Sequence, residues 1–389
     1  VLTIKLKAHE ERRLRAGHLW VFSNEIDTAE GFRTVAAGSL CKVVDARNKS
    51  LGVGYVNPHA LMAVRLLSSD ANADIDVDWF VRRIRSALAL REGIYPGPYY
   101  RLVYGESDGL PGLIVDRYGD VLVLQISTAG MEALKPLVIE ALQIVLKPRG
   151  LLLRNDVAMR EAEGLVSEVQ EIGSVPDTVE IDEGGVRFEI PLKTGQKTGW
   201  FYDQRDNRER LSRYVRGKRV LDVFSYIGGW ALRANQFGAT AVSCLDSSAP
   251  ALEMAQRNAL LNGVGLETIR GQALDMLKQL RDQQRLFDVV VVDPPALIKR
   301  KKDAEAGLEH YASLNRIAMQ LLVPGGVLVS CSCSHHLDIE QLQRVLLRES
   351  RAAGRRLQIL EQGGQGPDHP VHPAIPETRY LKAYFCRVI

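Results

Sequence analysis

Cys331 and Cys333 alternate with serines in Ser330-Cys331-Ser332-Cys333-Ser334, directly after the apolar run Val327-Leu328-Val329. A thiolate is the most nucleophilic ordinary side chain near neutral pH, and open α/β sheets form their ligand crevice outside the carboxyl ends of the strands. Thiols at that place are positioned for covalent attack. On an extended backbone, two residues apart, both would face the same side. Cys41, Cys244 and Cys386 lie inside apolar strand patterns and read as packing. A carboxyl group stands in the same row of strand ends, where the run Phe287 to Asp293 stops at Asp293-Pro294-Pro295.

A third group of residues suggests a cofactor. Asp222-Val223-Phe224-Ser225-Tyr226-Ile227-Gly228-Gly229 lies between an apolar strand and a helix, where glycines let a backbone approach a ligand closely. It lacks the Gly-x-Gly-x-x-Gly spacing of dinucleotide folds, which disfavours a hydride-transferring dehydrogenase, and the chain has no phosphate loop ending in Gly-Lys-Ser/Thr. Asp246 ends the next strand, where such folds hydrogen-bond ribose hydroxyls, and Asp275 follows the third. One aspartate at a strand end could equally cap a helix. Three in register favour a cofactor with a ribose and no diphosphate, and S-adenosylmethionine fits.

The elements that must position these groups alternate from about residue 196 onward. Strands at Val220 to Val223, Ala241 to Leu245, Glu267 to Arg270, Phe287 to Asp293 and Gly326 to Ser330 are separated by helices at Gly229 to Phe237, Ala249 to Asn262, Leu274 to Arg281 and Leu308 to Leu322. A helix at Ile339 to Ala353 and strands at Leu357 to Glu361 and Tyr380 to Val388 close the chain. This pattern predicts an α/β domain with a largely parallel sheet covered on both faces. Residues 1–75 show short alternating runs, such as Leu51 to Val56 and Ala63 to Leu67, and predict a small β-rich domain. Residues 76–195 mix a helix from Val77 to Arg91 and one from Met131 to Lys147 with strands at Leu113 to Asp116, Val121 to Ser127 and Leu151 to Arg154. With a hairpin of Thr178 to Asp182 and Val186 to Pro191 around Gly184-Gly185, they predict an α+β domain. Ser107 to Gly112 reads as a turn and nothing more.

Composition bounds the rest. The 389 residues are 46% hydrophobic and 25% charged, an ordinary globular balance. No apolar run is long enough to span a bilayer, the start lacks the apolar region of a secretory signal, and five cysteines without framework spacing fit a reducing compartment. A cytoplasmic protein without membrane or metal partners is expected. The net charge of +3 is too mild to indicate nucleic-acid binding, but basic residues cluster at Arg12-Arg13-Leu14-Arg15, between Arg205 and Arg219, and at Lys299-Arg300-Lys301-Lys302. Taken singly, each could be a solvated face.

Asp222 to Gly229, Asp246, Asp275, Asp293-Pro-Pro and the strand-end Ser330 to Ser334 resemble the successive motifs of class I methyltransferases. With Lys193 to Arg205 (Lys-Thr-Gly-Gln-Lys-Thr-Gly-Trp-Phe-Tyr-Asp-Gln-Arg), Gly17 to Ile26 and Asp368-His369-Pro370, the whole chain is similar to the RlmI-type bacterial methyltransferases that form 5-methylcytosine in large-subunit ribosomal RNA. The resemblance implies an N-terminal PUA domain for RNA, a central α/β domain, a C-terminal Rossmann-like catalytic domain and a homodimer. It would place Phe201, Asp203 and Arg205 beside the cofactor, with Gln196 and Thr198 on its approach. Asp222 and the turn with Phe224, Ser225 and Gly228 would hold the methionine end, Asp246 the ribose and Asp275 the adenine amine. Asp293 would hold the target base as well as border the cofactor. Ser332-Cys333-Ser334 aligns with the family's nucleophile, so Cys333 is the expected one, although His335 replaces the usual glycine. Many RNA cytosine-5 methyltransferases have a second cysteine after the first proline of Asp-Pro-Pro; Pro295 stands there. Lys299, Arg300, Lys301 and Lys302, and Arg12, Arg13 and Arg15, would contact RNA. Two rival readings are methyl transfer to a base nitrogen, against which Ala296 stands where an aromatic is usual, and a non-catalytic RNA-binding protein.

Overall fold

A computed structural model describes residues 2–27 and 32–389, which sort into two compact units. The first comprises Val1–Ile181, Ile190–Tyr202 and Pro367–Thr378, and the second Asp182–Glu189, Asp203–Gly366 and Arg379–Ile389.

In the first unit the N-terminal segment forms a five-stranded sheet, with Leu2–Lys5, Leu40–Val44, Ser50–Val56, Met62–Ser68 and Trp20–Phe22 as neighbours in that order. The two strands missing from the sequence reading, Leu2–Lys5 and Trp20–Phe22, are edge strands of only four and three residues. A second five-stranded sheet orders Glu168–Gly173, Gly150–Asn155, Val121–Ile126, Leu113–Tyr118 and Tyr99–Tyr104. Helices Val77–Glu92 and Lys135–Leu146 pack into its core through Phe80, Ile84, Val138 and Leu142. The helix expected from Met131 to Lys147 is broken into Ala129–Ala133 and Lys135–Leu146. Pro136 is the cause, because it lacks an N–H and its ring would strike a carbonyl one turn back. Glu168–Gly173 was missed because it is a polar, mostly exposed edge strand held by antiparallel pairing to Gly150–Asn155.

Both sheets belong to one unit because they share a core. Tyr55 and Leu67 of the first sheet pack with Trp79, Phe80 and Leu102, and the Tyr55 hydroxyl donates to the Pro111 carbonyl at 3.0 Å. Arg65 and Glu163 form a buried ion pair at 2.8 Å. By contacts the chain changes unit at Ile181/Asp182, Glu189/Ile190 and Tyr202/Asp203, and the first unit holds residues 1–75 together with most of residues 76–195.

Asp368-His369 closes this unit. Arg91, 0% exposed, donates to both carboxylate oxygens of Asp108 at 2.6 and 2.7 Å and to the Asp368 carbonyl at 2.8 Å. The Asp368 carboxylate accepts the Arg101 N–H at 3.0 Å and contacts His369 Nδ1 at 2.8 Å. Arg91→Met strands the Asp108 charge and is expected to cost about 3–5 kcal/mol, read as a lower urea midpoint. An unchanged midpoint would contradict this account.

In the second unit we number β1 (Arg219–Val223), α1 (Gly229–Gln236), β2 (Ala241–Asp246), α2 (Ala249–Leu261), β3 (Glu267–Arg270), α3 (Ala273–Asp282), β4 (Phe287–Val292) and α4 (Ala304–Gln320). β5 (Leu322–Ser332), α5 (Ile339–Ala352), β6 (Leu357–Gly363) and β7 (Lys382–Val388) follow. The seven strands are ordered β3-β2-β1-β4-β5-β7-β6. All neighbours pair in parallel except β7, which runs antiparallel to β5 and β6. Alternate strand residues feed two cores: Leu221, Val223, Val290, Val292 and Leu328 on one face, Val220, Val289, Val291, Val329 and Cys331 on the other. Burial on both faces explains why β4 reads as an unbroken apolar run.

Candidate active site

The strand order reverses between β1 and β4, so the crevice of the second unit opens at their carboxyl ends. Asp222 on β1 is fully buried; Oδ2 accepts the Ala231 N–H in the first turn of α1 at 3.1 Å, and Oδ1 has no partner among the described residues. Burial first, and then the charge of Asp293, push its carboxyl well above the usual range. The following turn is conformationally demanding. Phe224, Tyr226 and Gly228 have φ of +64°, +49° and +86°. Two non-glycine residues in the left-handed region cost about 1–2 kcal/mol each and require support. That support is the Leu245 carbonyl, which accepts from Phe224 N at 2.9 Å and Ser225 N at 3.1 Å, and Asp246 Oδ2, which accepts from Tyr226 N at 2.9 Å. Asp246 Oδ1 accepts from Ser248 N at 2.9 Å, so each oxygen keeps room for a further donor.

Asp275 does not complete a row of strand-end carboxylates. β3 stops at Arg270, Gly271 and Gln272 intervene, and Asp275 falls on the exposed first turn of α3. The stretch from Gln196 to Arg205, read from sequence as one motif, is also divided. Gln196, Thr198 and Phe201 belong to the first unit, where the Lys197 ammonium lies 5.0 Å from the Phe201 ring centre. Asp203 and Arg205 belong to the second, where Asp203 accepts from the Tyr380 hydroxyl and Arg205 lies 3.6 Å from Glu183.

Cys333 and Asp293 come together at adjoining strand ends. β5 runs through Ser332, two residues beyond the expected end, so Cys331 is inside the strand and Cys333 is the first residue past it. Cys331 is buried in the core, and burial pushes its thiol far above the ordinary range. Cys333 is partly exposed, with Sγ 3.9 Å from the Pro294 carbonyl. The serines on either side of Cys333 are fully buried: the Ser332 hydroxyl donates to the Tyr311 hydroxyl at 2.9 Å, which also pairs with Ser334 Oγ at 2.9 Å. Ser334 Oγ in turn accepts from Ile298 N at 3.1 Å, tying the loop after β4 to the end of β5. Asp293 Oδ1 accepts from Gln204 Nε2 and Oδ2 from Trp230 Nε1, both at 2.9 Å. Burial raises its carboxyl to about 6 against the opposing Trp230 N–H, with Asp203 adding to the rise. Sequence reasoning missed Tyr311 and Trp230, for which no local motif exists, and passed over Gln204 although it lies within the Lys193 to Arg205 motif.

The basic clusters differ in what they leave available. Between Arg205 and Arg219, Arg208 is paired with Glu183, Arg210 and Arg213 with Glu361, and Arg219 with Asp288. In the first unit Arg13 is paired with Glu25 and Arg15 with Asp45, both at 2.5 Å, while Arg12 lies 3.5 Å from His9. Lys299, Arg300, Lys301 and Lys302 are all exposed, and of these only Arg300 forms an ion pair among the described residues, with Asp303 at 2.9 Å.

Residues 4–69 match a PUA-like domain family, and residues 157–386 match the S-adenosylmethionine-dependent methyltransferase family. The ribosomal RNA large subunit methyltransferase I of Cronobacter sakazakii is 38% identical over 400 residues, covering 100% of both chains. That of Photobacterium profundum is 37% identical over 394 residues, covering 99% of each. Among solved structures, SMU.776 complexed with SAH has a TM-score of 0.86 at 18% identity, and a Streptococcus mutans protein has 0.84 at 18%, each covering 100% of both chains. These two likenesses concern the fold. No helix among the described residues is long and apolar enough to cross a membrane.

Proposed function

The chain belongs to the S-adenosylmethionine-dependent methyltransferases, in the family of the ribosomal RNA large subunit methyltransferase I proteins, and from that premise we propose that it forms 5-methylcytosine in large-subunit ribosomal RNA through a covalent Cys333 adduct. The observation that carries this reading is a partly exposed thiol just past β5, 3.9 Å from the carbonyl of the residue that follows Asp293. Carbon 5 of cytosine is too weak a nucleophile to take a methyl group unaided. Attack of the Cys333 thiolate on carbon 6 moves electron density to carbon 5 and makes an enamine. Asp293 holds N3 and the exocyclic amine and stabilises the charge that develops there. S-adenosylmethionine supplies the electrophilic methyl group. A base then takes the carbon 5 proton, the freed electron pair re-forms the double bond between carbons 5 and 6, and the carbon 6–sulfur bond breaks to release the thiolate.

The residues present fit this cofactor. Asp222 has a buried oxygen with no partner of its own, and the left-handed turn from Phe224 to Gly228 ends against α1. In this reading Asp222 and the turn hold the methionine end, Asp246 the ribose hydroxyls from the end of β2, and Asp275 the adenine amine from α3. Thiols with no disulfide among them suit the cytoplasm. The homodimer that the resemblance implies belongs to the same proposal.

The deciding experiment incubates the protein with labelled S-adenosylmethionine and unmodified large-subunit ribosomal RNA and maps the product. A methyl group on a base nitrogen, or none, would overturn the reading. Because a base must leave its stack before a thiol can reach carbon 6, the exposed loop after Asp293 is assigned to the flanking phosphates. Changing Lys299, Lys301 and Lys302 together to glutamate is expected to weaken RNA binding about tenfold or more and to lower its salt slope by roughly two to three, leaving cofactor binding unchanged. Filter binding across a salt series measures both.

A further inference from the structure

Lys382 opens β7 directly opposite Ser332 in the antiparallel pairing with β5. The residue is 7% exposed, and its Nζ donates to the carbonyls of Ser334 at 2.6 Å and Tyr380 at 2.7 Å. Those bonds fix the ammonium beside the segment that carries Cys333. A buried cation is costly unless an opposite charge lies close. The charges that act favourably on Lys382 are Cys333 and Asp338, and Asp338 is exposed, with Oδ1 accepting the Gln341 N–H at 2.6 Å as the cap of α5. The thiol is therefore the group whose ionisation would compensate the lysine.

The thiol and the phenol nearest Cys333 are held neutral. Cys331 and the Tyr311 hydroxyl are both pushed upward by burial. Asp293 is itself acidic, and His335 is exposed, its ring 5.6 Å from that of Tyr380. Burial draws Lys382 down to about 8 even though the nearby sulfur and Asp338 oppose that fall.

We propose that Lys382 is a positioning residue whose fixed ammonium holds Cys333 as the thiolate, a role that rests on the covalent reading above. The thiol proton passes to solvent, the lysine keeps its own, and the pair is ready before RNA arrives. Electrostatic linkage is reciprocal, so removing either partner must shift the ionisation of the other.

The test uses the full chain without RNA or cofactor. Iodoacetamide alkylation of Cys333 is followed by peptide mass across pH in the wild type and in Lys382→Met. The inflection is expected to move up by one unit or more, so that alkylation slows by about tenfold at pH values below the wild-type inflection. In parallel, the lysine Cε carbon-13 titration of Cys333→Ala should show Lys382 losing its proton about one unit lower than in the wild type. This second measurement decides the matter if Lys382→Met fails to fold. Unshifted titrations, with S-adenosylmethionine binding intact, would overturn the role of Lys382 and leave the covalent mechanism standing. Full methyl transfer by Cys333→Ala would instead remove the covalent mechanism, whatever the titrations show.

Discussion

Cys333→Ala is expected to lower 5-methylcytosine formation by about 10⁴-fold or more, whereas Cys331→Ala should stay within about tenfold of the wild type. The contrast follows from where β5 ends. Cys331 pairs with Ala383 within the sheet and is sealed in the core, with an ionisation far from neutral pH. Cys333 has left the ladder, is partly exposed, and is flanked by serines whose hydroxyls are held by Tyr311. Losing the nucleophile removes the step that activates carbon 5, so the residual rate is that of binding and positioning alone. RNA containing 5-fluorocytosine provides a second readout, because fluorine at carbon 5 cannot leave as the proton does and the adduct persists. The wild type and Cys331→Ala should give a covalent protein–RNA band in denaturing gels, and Cys333→Ala should give none. A band that follows Cys331 would reverse the assignment.

Asp293→Asn is expected to lower turnover by about 10²–10³-fold with little change in S-adenosylmethionine affinity, the loss typical of a group that stabilises developing charge. The amide keeps the shape of the carboxyl but has no proton to give to N3. The pH profile is the sharper measurement. With the Asp293 carboxyl at about 6, the protonated acid is lost above that pH while the thiolate fraction of Cys333 still rises, so the wild-type profile should bend near 6. In Asp293→Asn that bend should vanish, and activity should keep climbing until the thiol is fully ionised. Stability gives an independent check. A folded carboxyl raised from 3.8 to about 6 binds its proton more tightly than the unfolded chain does. Its contribution is complete below 3.8 and is lost as pH rises through 6, by at most about 3 kcal/mol. Urea midpoints of Asp293→Asn should lack that part of the decline, and an unchanged slope between pH 4 and 7 would contradict burial as the cause.

What the sequence determined by itself was local. Alternating apolar residues placed Val186–Pro191 to the residue, the succession of strands and helices placed Glu267–Arg270, and the strand-turn-helix from Asp222 to Gly229 was recognisable because its glycines and its length are properties of one contiguous segment. The resemblance carried the family for the same reason, through contiguous motifs. Charge was legible only as charge. The basic run from Arg205 to Arg219 could not disclose that Glu183, Glu361 and Asp288 neutralise Arg208, Arg210, Arg213 and Arg219. Asp275 looked equivalent to Asp222 and Asp246 until the short link after β3 carried it onto α3.

The resemblance favoured Cys333, but the physical difference between the two thiols, one sealed and one partly exposed, belonged to the tertiary structure. How far β5 extends is set by its pairing with β7, which begins at Lys382, and the turn that holds Cys333 is fixed by Tyr311 from α4. Backbone pairing, burial and the field at a side chain are sums over neighbours brought from distant parts of the chain. A local pattern can nominate a thiol, but only those neighbours decide which one is exposed and which is sealed.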